Sequence, residues 1–354
     1  MMKDLIFTKH TRLYFILLLL IGLQGKAQVF TGQIVNNKNE ALKNVNVYFD
    51  ATNIGVVTNA KGNFKIEIPK IENALLVISY LGYETLYISD FSKNESTYKL
   101  LPKNNELEEV VLINSTFSRA ELLKVFKREF LGKNRKSCLI LNEEAIRIKF
   151  DEQSNTISAF SNEDLIIVNK RLNYKIRFNL IDFEAQLTYK KLDPRYLKQA
   201  VFYGTSFFED HAELKNKHIK RRKKAYLGSI QHFFKSLYTG EVEENGFSVY
   251  KNSFQVFSDS VLEVKKNNTG SFLKLGVSDA QENAEVYKSN SKEVPYFFRI
   301  SLLYNKDQTD IKFTTNTIQF DQFGNYSPIQ NVLLIGEMAE NKLGGMLPSN
   351  YELN

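Results

Sequence analysis

From Phe30 to Leu101 the apolar positions fall on alternate residues in short runs. Val45, Val47 and Phe49 alternate with Asn46 and Tyr48, and Phe64, Ile66 and Ile68 alternate with Lys65 and Glu67. A period of two sends successive side chains to opposite faces, so each run predicts a strand with one buried face. Ala74 to Tyr80 is almost continuously apolar, the pattern of a strand covered on both faces. Between the runs, Asn59–Asn63 reads as a turn in which Gly62 is free to take a positive φ, and Gly82 permits another. About seven short strands in this stretch predict a compact β-sandwich over residues 28–103.

The pattern then changes. Residues 104–118 read as a linker in which Glu106–Ile113 forms a strand. Ser118-Arg119-Ala120-Glu121 is a capping box that opens a helix with Leu122, Leu123, Phe126 and Phe130 on its apolar face and Gly132 as its stop. Strands are expected at Leu139–Phe150, Thr156–Phe160, Leu165–Val168, Tyr174–Leu180 and Ala185–Tyr189. Ile230, Phe233, Phe234 and Leu237 have the spacing of a second helix, Ser229–Tyr238, closed by Gly240. Further strands are expected at 247–256, 259–265, 296–304, 311–320 and 328–335. The fold class is therefore mainly β: a seven-stranded sandwich followed by a larger β-rich domain, 119–354, with two or three helices.

The first residues add an address. Lys3, Lys9 and Arg12 precede the apolar run Leu13–Leu23, and small residues Gly25 and Ala27 follow. That is the layout of a signal peptide over 1–27, and the run is too short to span a bilayer, which takes about 20 apolar residues. No Cys lies near the cleavage point to carry a lipid anchor, so a soluble exported chain is expected in the periplasm or at the periplasmic face of the outer membrane. Removing the leader lowers the formal charge from +7 to +4, too mild a balance to suggest nucleic acid as a partner. Cys138 is the only cysteine, so no disulfide forms within the chain, and its apolar surroundings predict a buried, inert thiol.

Several phrases carry a resemblance. Gly32-x-Ile34-Val35, Ala41–Val47, Gly55-x-Val57-Thr58-Asn59-x-x-Gly62-x-Phe64-x-Ile66 and Ser79-Tyr80-x-Gly82-Tyr83 together resemble the carboxypeptidase-D regulatory-like domain. Ala41 and Asn59 stand where that family commonly has Pro and Asp, a difference in turn rigidity. The resemblance implies a transthyretin-like sandwich, itself non-catalytic, of the kind found at the N-termini of bacterial envelope proteins including TonB-dependent receptors. The receptor barrel would need some twenty strands of roughly ten residues each, more than this chain supplies. Later phrases, Tyr226-Leu227-Gly228-Ser229-x-x-His232-Phe233-Phe234 among them, resemble uncharacterised envelope proteins with the same sandwich, and imply no activity.

Chemistry is thinly represented. A zinc carboxypeptidase needs His-x-x-Glu, and none of His10, His211, His218 and His232 has Glu three residues on. No nucleophile elbow, phosphate loop or dinucleotide fingerprint occurs, and no cofactor or metal is called for. Asp210-His211-x-Glu213 with His218 is the one grouping of ligand types, and its competing reading is exposed polar residues. His232, with Glu241, Glu243 or Glu244 nearby in sequence, is the candidate general base, against a hydrogen-bonded core histidine. The adjacent pairs Glu143/Glu144 and Glu163/Asp164 diverge on helix or strand and make poor acid–base partners. Lys215–Lys224 is the largest charge feature. Lys220, Arg221, Arg222, Lys223 and Lys224 are candidate contacts to an anionic envelope surface, against a solvated helix face or loop partly neutralised by Glu209, Asp210 and Glu213.

The reading that follows is a non-catalytic exported envelope protein that binds a protein partner or glycan through residues 119–354, with the sandwich as a separately folding adaptor. The alternative is an unrecognised hydrolase of an envelope glycan or peptide. A cleft in which His232 meets a carboxylate of raised pKa would favour the hydrolase.

Overall fold

The computed structural model describes residues 28–71, 73–92, 96–103, 116–267, 270–275 and 298–353. The expected leader 1–27 and the expected strand 106–113 lie outside them. The described residues gather around three apolar cores, one in the sandwich and two in the region 119–354.

The sandwich has the seven strands that the alternation predicts: β1 (Val29–Val35), β2 (Asn46–Phe49), β3 (Gly55–Val57), β4 (Asn63–Glu67), β5 (Leu76–Ser79), β6 (Leu86–Ile88) and β7 (Thr97–Lys99). They form two sheets, β4-β1-β7 and β3-β2-β5-β6. Phe30, Val47, Phe49, Phe64, Ile66 and Ile78 from alternate positions meet between them. Gly62 has φ 74°, and a Cβ there would lie 2.5 Å from the Ile34 carbonyl, so the turn requires glycine.

The middle unit is one sheet covered by α1 (Arg119–Leu131), whose Ser118/Glu121 capping box is formed as expected. Its strands are β8 (Cys138–Ile140), β9 (Ile146–Asp151), β10 (Thr156–Ser161), β11 (Leu165–Asn169), β12 (Tyr174–Leu187) and β13 (Leu197–Asp210). β11 and β10 pair with successive halves of one side of β12, while β13 runs along the whole of the other side. Three expectations change here. Leu139–Phe150 is two strands parted by a turn at Glu143–Ala145. Tyr174–Leu180 and Ala185–Tyr189 are one long strand, because a register shift between Leu180 and Asp182 moves the inward set from even to odd residues and so mimics a break. β13 was not expected at all.

The third unit follows α2 (Asn216–Tyr226) and begins with α3 (Ile230–Thr239). Its strands are β14 (Phe247–Lys251), β15 (Phe254–Val256), β16 (Leu262–Asn267), β17 (Gly270–Leu275), β18 (Phe298–Tyr304), β19 (Asp307–Phe313), β20 (Thr317–Phe320), β21 (Tyr326–Ser327) and β22 (Val332–Gly336). They form the sheets β15-β14-β18-β19-β22 and β16-β17-β20-β21. Phe233, Phe234 and Leu237 of α3 enter this core with Phe247, Phe313 and Phe320.

The sandwich is fastened to the middle sheet. β13 is an edge strand whose backbone needs partners, and the loop after β2 supplies them. Ala51 N donates to Ser206 O at 2.7 Å, and Phe208 N donates to Thr52 O at 2.9 Å. The chain's last described segment closes the join. Ser349 N and Oγ donate to Ala51 O, while Ser349 O accepts from Gln231 and Asn325 of the third unit. Residues nearly 300 positions apart thus bind the three units into one body.

Candidate functional site

α2 carries the basic run, and its two sides differ. His218, Arg222 and Tyr226, four residues apart, form the buried stripe. Arg222 is 7% exposed. Its Nε donates to Leu172 O at 2.8 Å and its Nη2 to Asn173 O at 3.2 Å and Asp210 Oδ1 at 2.5 Å, with the guanidinium 3.7 Å from the Tyr174 ring centroid. Arg222 therefore leaves the group of surface-contact candidates: it is the rivet that fixes α2 to the sheet. Lys220, Arg221, Lys223 and Lys224 are exposed on the outward side, beside Lys215 and Lys217. Among the described residues none of these six makes an ion pair. Two of the carboxylates expected to neutralise them are engaged elsewhere, Asp210 with Arg222 and Glu209 with Arg177.

That arrangement also disperses the candidate metal ligands. Asp210 turns to Arg222, His211 and Glu213 lie in solvent, and His218 Nδ1 accepts from the Lys215 amide at 3.3 Å. Burial first, then the surrounding cations, lowers the His218 pKa.

After α2 the chain turns at Gly228, where φ is 76° and a Cβ would meet the Tyr304 ring at 2.5 Å. Ser229 then caps α3, accepting from the His232 amide at 3.1 Å. His232 lines a cleft of about 330 Å³. The walls include Tyr226, Lys235, Glu241, Asn245, Phe323 and Tyr351. His232 Nδ1 accepts from the Gly228 amide at 3.1 Å, and Asn245 beside the ring pulls its pKa slightly back up. Burial pulls its pKa down to about 4, so the imidazole is neutral at ordinary pH. Among the described residues neither carboxylate of the cleft wall, Glu241 or Glu352, is hydrogen-bonded to the ring, and the raised-pKa carboxyls Asp50 and Asp164 lie at the sandwich join. The cleft offers aromatic faces and both hydrogen-bond senses to a polar ligand, but Nδ1 of its histidine is already engaged by the Gly228 amide.

Cys138 is half-buried, and burial pushes its thiol up to about 11. It stays protonated and a weak nucleophile. Glu143 pairs with Lys127, and Asp164 turns toward the sandwich, so neither adjacent carboxylate pair acts as a unit.

A β-sandwich riding on a larger β-rich body, with a cleft and a cationic helix but no assembled catalytic group among the described residues, is the class that the geometry defines. The comparisons agree with the resemblance read from the sequence. Residues 30–112 match the family described as the CarboxypepD_reg-like domain. The TonB-dependent receptor P3 of Formosa agariphila is 35% identical over 102 residues, which are 28% of this chain and 10% of the receptor. The chain thus matches about a tenth of that receptor's length.

Proposed function

We propose that the protein is a non-catalytic binding component of the cell envelope, exported to the periplasm or the periplasmic face of the outer membrane. Its ligand, an envelope protein segment or glycan, is held by residues 119–354, and the sandwich serves as a fixed adaptor. The regulatory-like match and the receptor similarity support the envelope setting. The observation that carries the non-catalytic reading is His232: a general base needs an available nitrogen and a pKa near the working pH, whereas Nδ1 here accepts from the Gly228 amide and burial holds the pKa down at about 4. The cleft walls suit binding, since Phe323 and Tyr351 can stack on a sugar or peptide face while Glu241 and Lys235 meet its polar groups.

In-cell photo-cross-linking from position 323 tests this. One discrete adduct is expected, and it should weaken on Tyr351→Ala and Glu241→Ala. If the purified protein consumes the captured ligand and His232→Asn stops the turnover, the hydrolase reading replaces this one.

A further inference from the structure

We propose that the outward face of α2 docks flat on an anionic phospholipid surface, giving the protein a membrane contact separate from its ligand cleft. The proposal rests on the envelope reading above, which puts a bilayer within reach.

Four features of the helix carry it. Lys215, Lys217, Lys220, Arg221, Lys223 and Lys224 are exposed without an ion pair among the described residues, and Glu213 is the only carboxylate from His211 to Tyr226. The array cannot relax by rolling, because rotation of α2 would tear Arg222 from Leu172, Asn173, Asp210 and Tyr174. A further cation presses on it from the β11–β12 turn: Arg171 stands against Arg221, and its Nη1 is buried without a hydrogen bond. Held like charges with no counter-charge on the protein are relieved by an external anion. Finally, Ile219, 43% exposed, lies on the flank of this face one helical turn from Lys215 and from Lys223, and Leu214, 40% exposed, stands just before the helix.

Those two apolar side chains decide between anionic partners. A polyanionic glycan would satisfy the lysines and leave Leu214 and Ile219 in water. A lipid surface takes both, the cations at the phosphates and the apolar tips at the boundary of headgroups and acyl chains. The helix has 11 residues, roughly 16 Å of length, enough for a footprint of several headgroups.

The test is co-sedimentation of the chain lacking residues 1–27, which keeps every described residue and removes the apolar run Leu13–Leu23 that would itself enter vesicles. Binding is expected to phosphatidylglycerol-containing vesicles and not to phosphatidylcholine alone, and it should fall as salt rises. Each cation near such a surface is worth roughly fivefold in partition, so Lys220→Glu, Arg221→Glu, Lys223→Glu and Lys224→Glu together should lower binding on the order of a hundredfold or more. Arg222 stays, and an unchanged melting curve confirms that the variant is folded. Ile219→Ser with Leu214→Ser should weaken vesicle binding several-fold while leaving retention on a heparin column unaltered. Equal binding to both vesicle types, or no loss in the folded charge-reversed variant, overturns the proposal. Heparin binding tighter than vesicle binding, with the double serine variant unaffected on vesicles, also overturns it and assigns the face to an acidic glycan. Cross-linking from position 323 should persist in the charge-reversed variant, so a failed membrane contact and a failed ligand cleft give different results.

Discussion

The core of the sandwich and the seat on which it sits are neighbours made of opposite materials. Between its sheets, Phe30 packs its ring 5.5 to 6.1 Å from those of Phe64, Phe91 and Tyr98, with no ionisable group among them other than the Tyr98 phenol. On the seat, Tyr48 lies 5.2 Å from Phe207, and around that one ring pair the contacts are polar. Arg177 Nη1 donates to Asn46 Oδ1 at 2.5 Å, Ser206 N donates to Asp50 Oδ1 at 2.7 Å, and Asn179 reaches Thr85. Apolar burial is non-directional and sets how stable the sandwich is. Buried hydrogen bonds are directional, and they set where it sits. The close approach leaves no slack: a Cβ on Gly55 would come within 2.6 Å of the Phe207 ring.

The hardest way to break that contrast is from the core side. Phe30→Ala removes a side chain that is 2% exposed and leaves a cavity, at a cost of about 3–5 kcal/mol. Urea unfolding should show the whole loss in the transition that melts the sandwich. A loss under about 1 kcal/mol would mean that the seat, and not the core, holds the strands together.

The seat should respond to pH where the core does not. Burial is the largest influence on Asp50 and pushes its carboxyl from an ordinary 3.8 up to about 6, against amide bonds from Ser206 and Ala51 that pull it down. Asp164, also at the join, is raised by burial and partly offset by Arg177 and Lys103. A raised pKa means that the folded state holds the proton more tightly than the unfolded chain. The stabilisation is therefore complete below pH 3.8 and is lost as pH rises through about 6. The shift of about two pH units corresponds to roughly 3 kcal/mol at most. The urea midpoint for releasing the sandwich should rise on going from about pH 7 to about pH 4.5, and Asp50→Asn should remove most of that rise. Glu152 and Asp193, hydrogen-bonded carboxylates with lowered pKa values, act in the opposite sense in both proteins and cancel from the comparison. Parallel pH profiles for the two proteins would exclude Asp50 as the source.

The sequence disclosed the core far better than the seat, for physical reasons. Period-two alternation and turn glycines are local, so the sandwich strands could be read directly. The seat depends on β13, where Phe207 faces the sandwich while Phe202 and Phe208 face α1 and its sheet, so apolar residues occur on both sides and no alternation remains. The join at Ser349 and Ala51 spans nearly 300 residues and leaves no local trace. On α2 the cationic run was plain, yet Arg222 looked like its neighbours. The one available signal was helical phase, since His218, Arg222 and Tyr226 fall four residues apart. His232 was legible as a helix residue at an apolar edge, but its engagement by the Gly228 amide was not.

The smallest effect should come from the seat's weakest polar contact, and it sharpens the comparison most finely. Tyr48 Oη and Thr205 Oγ1 are 3.4 Å apart, a long hydrogen bond between two buried hydroxyls. Burial raises the phenol pKa far above its ordinary value, so the group stays neutral and the contact cannot be charge-assisted. Tyr48→Phe keeps the ring against Phe207 and leaves the Thr205 hydroxyl without its partner, a cost of about 0.5–1 kcal/mol. Adding Thr205→Val removes the orphaned hydroxyl along with its desolvation penalty, so the double variant should return most of the way to the parent. Urea midpoints of the four proteins in this cycle measure the coupling. If the double variant instead loses the sum of the two single losses, this hydroxyl pair contributes nothing to the seat, and directionality there rests on Asp50 and Arg177.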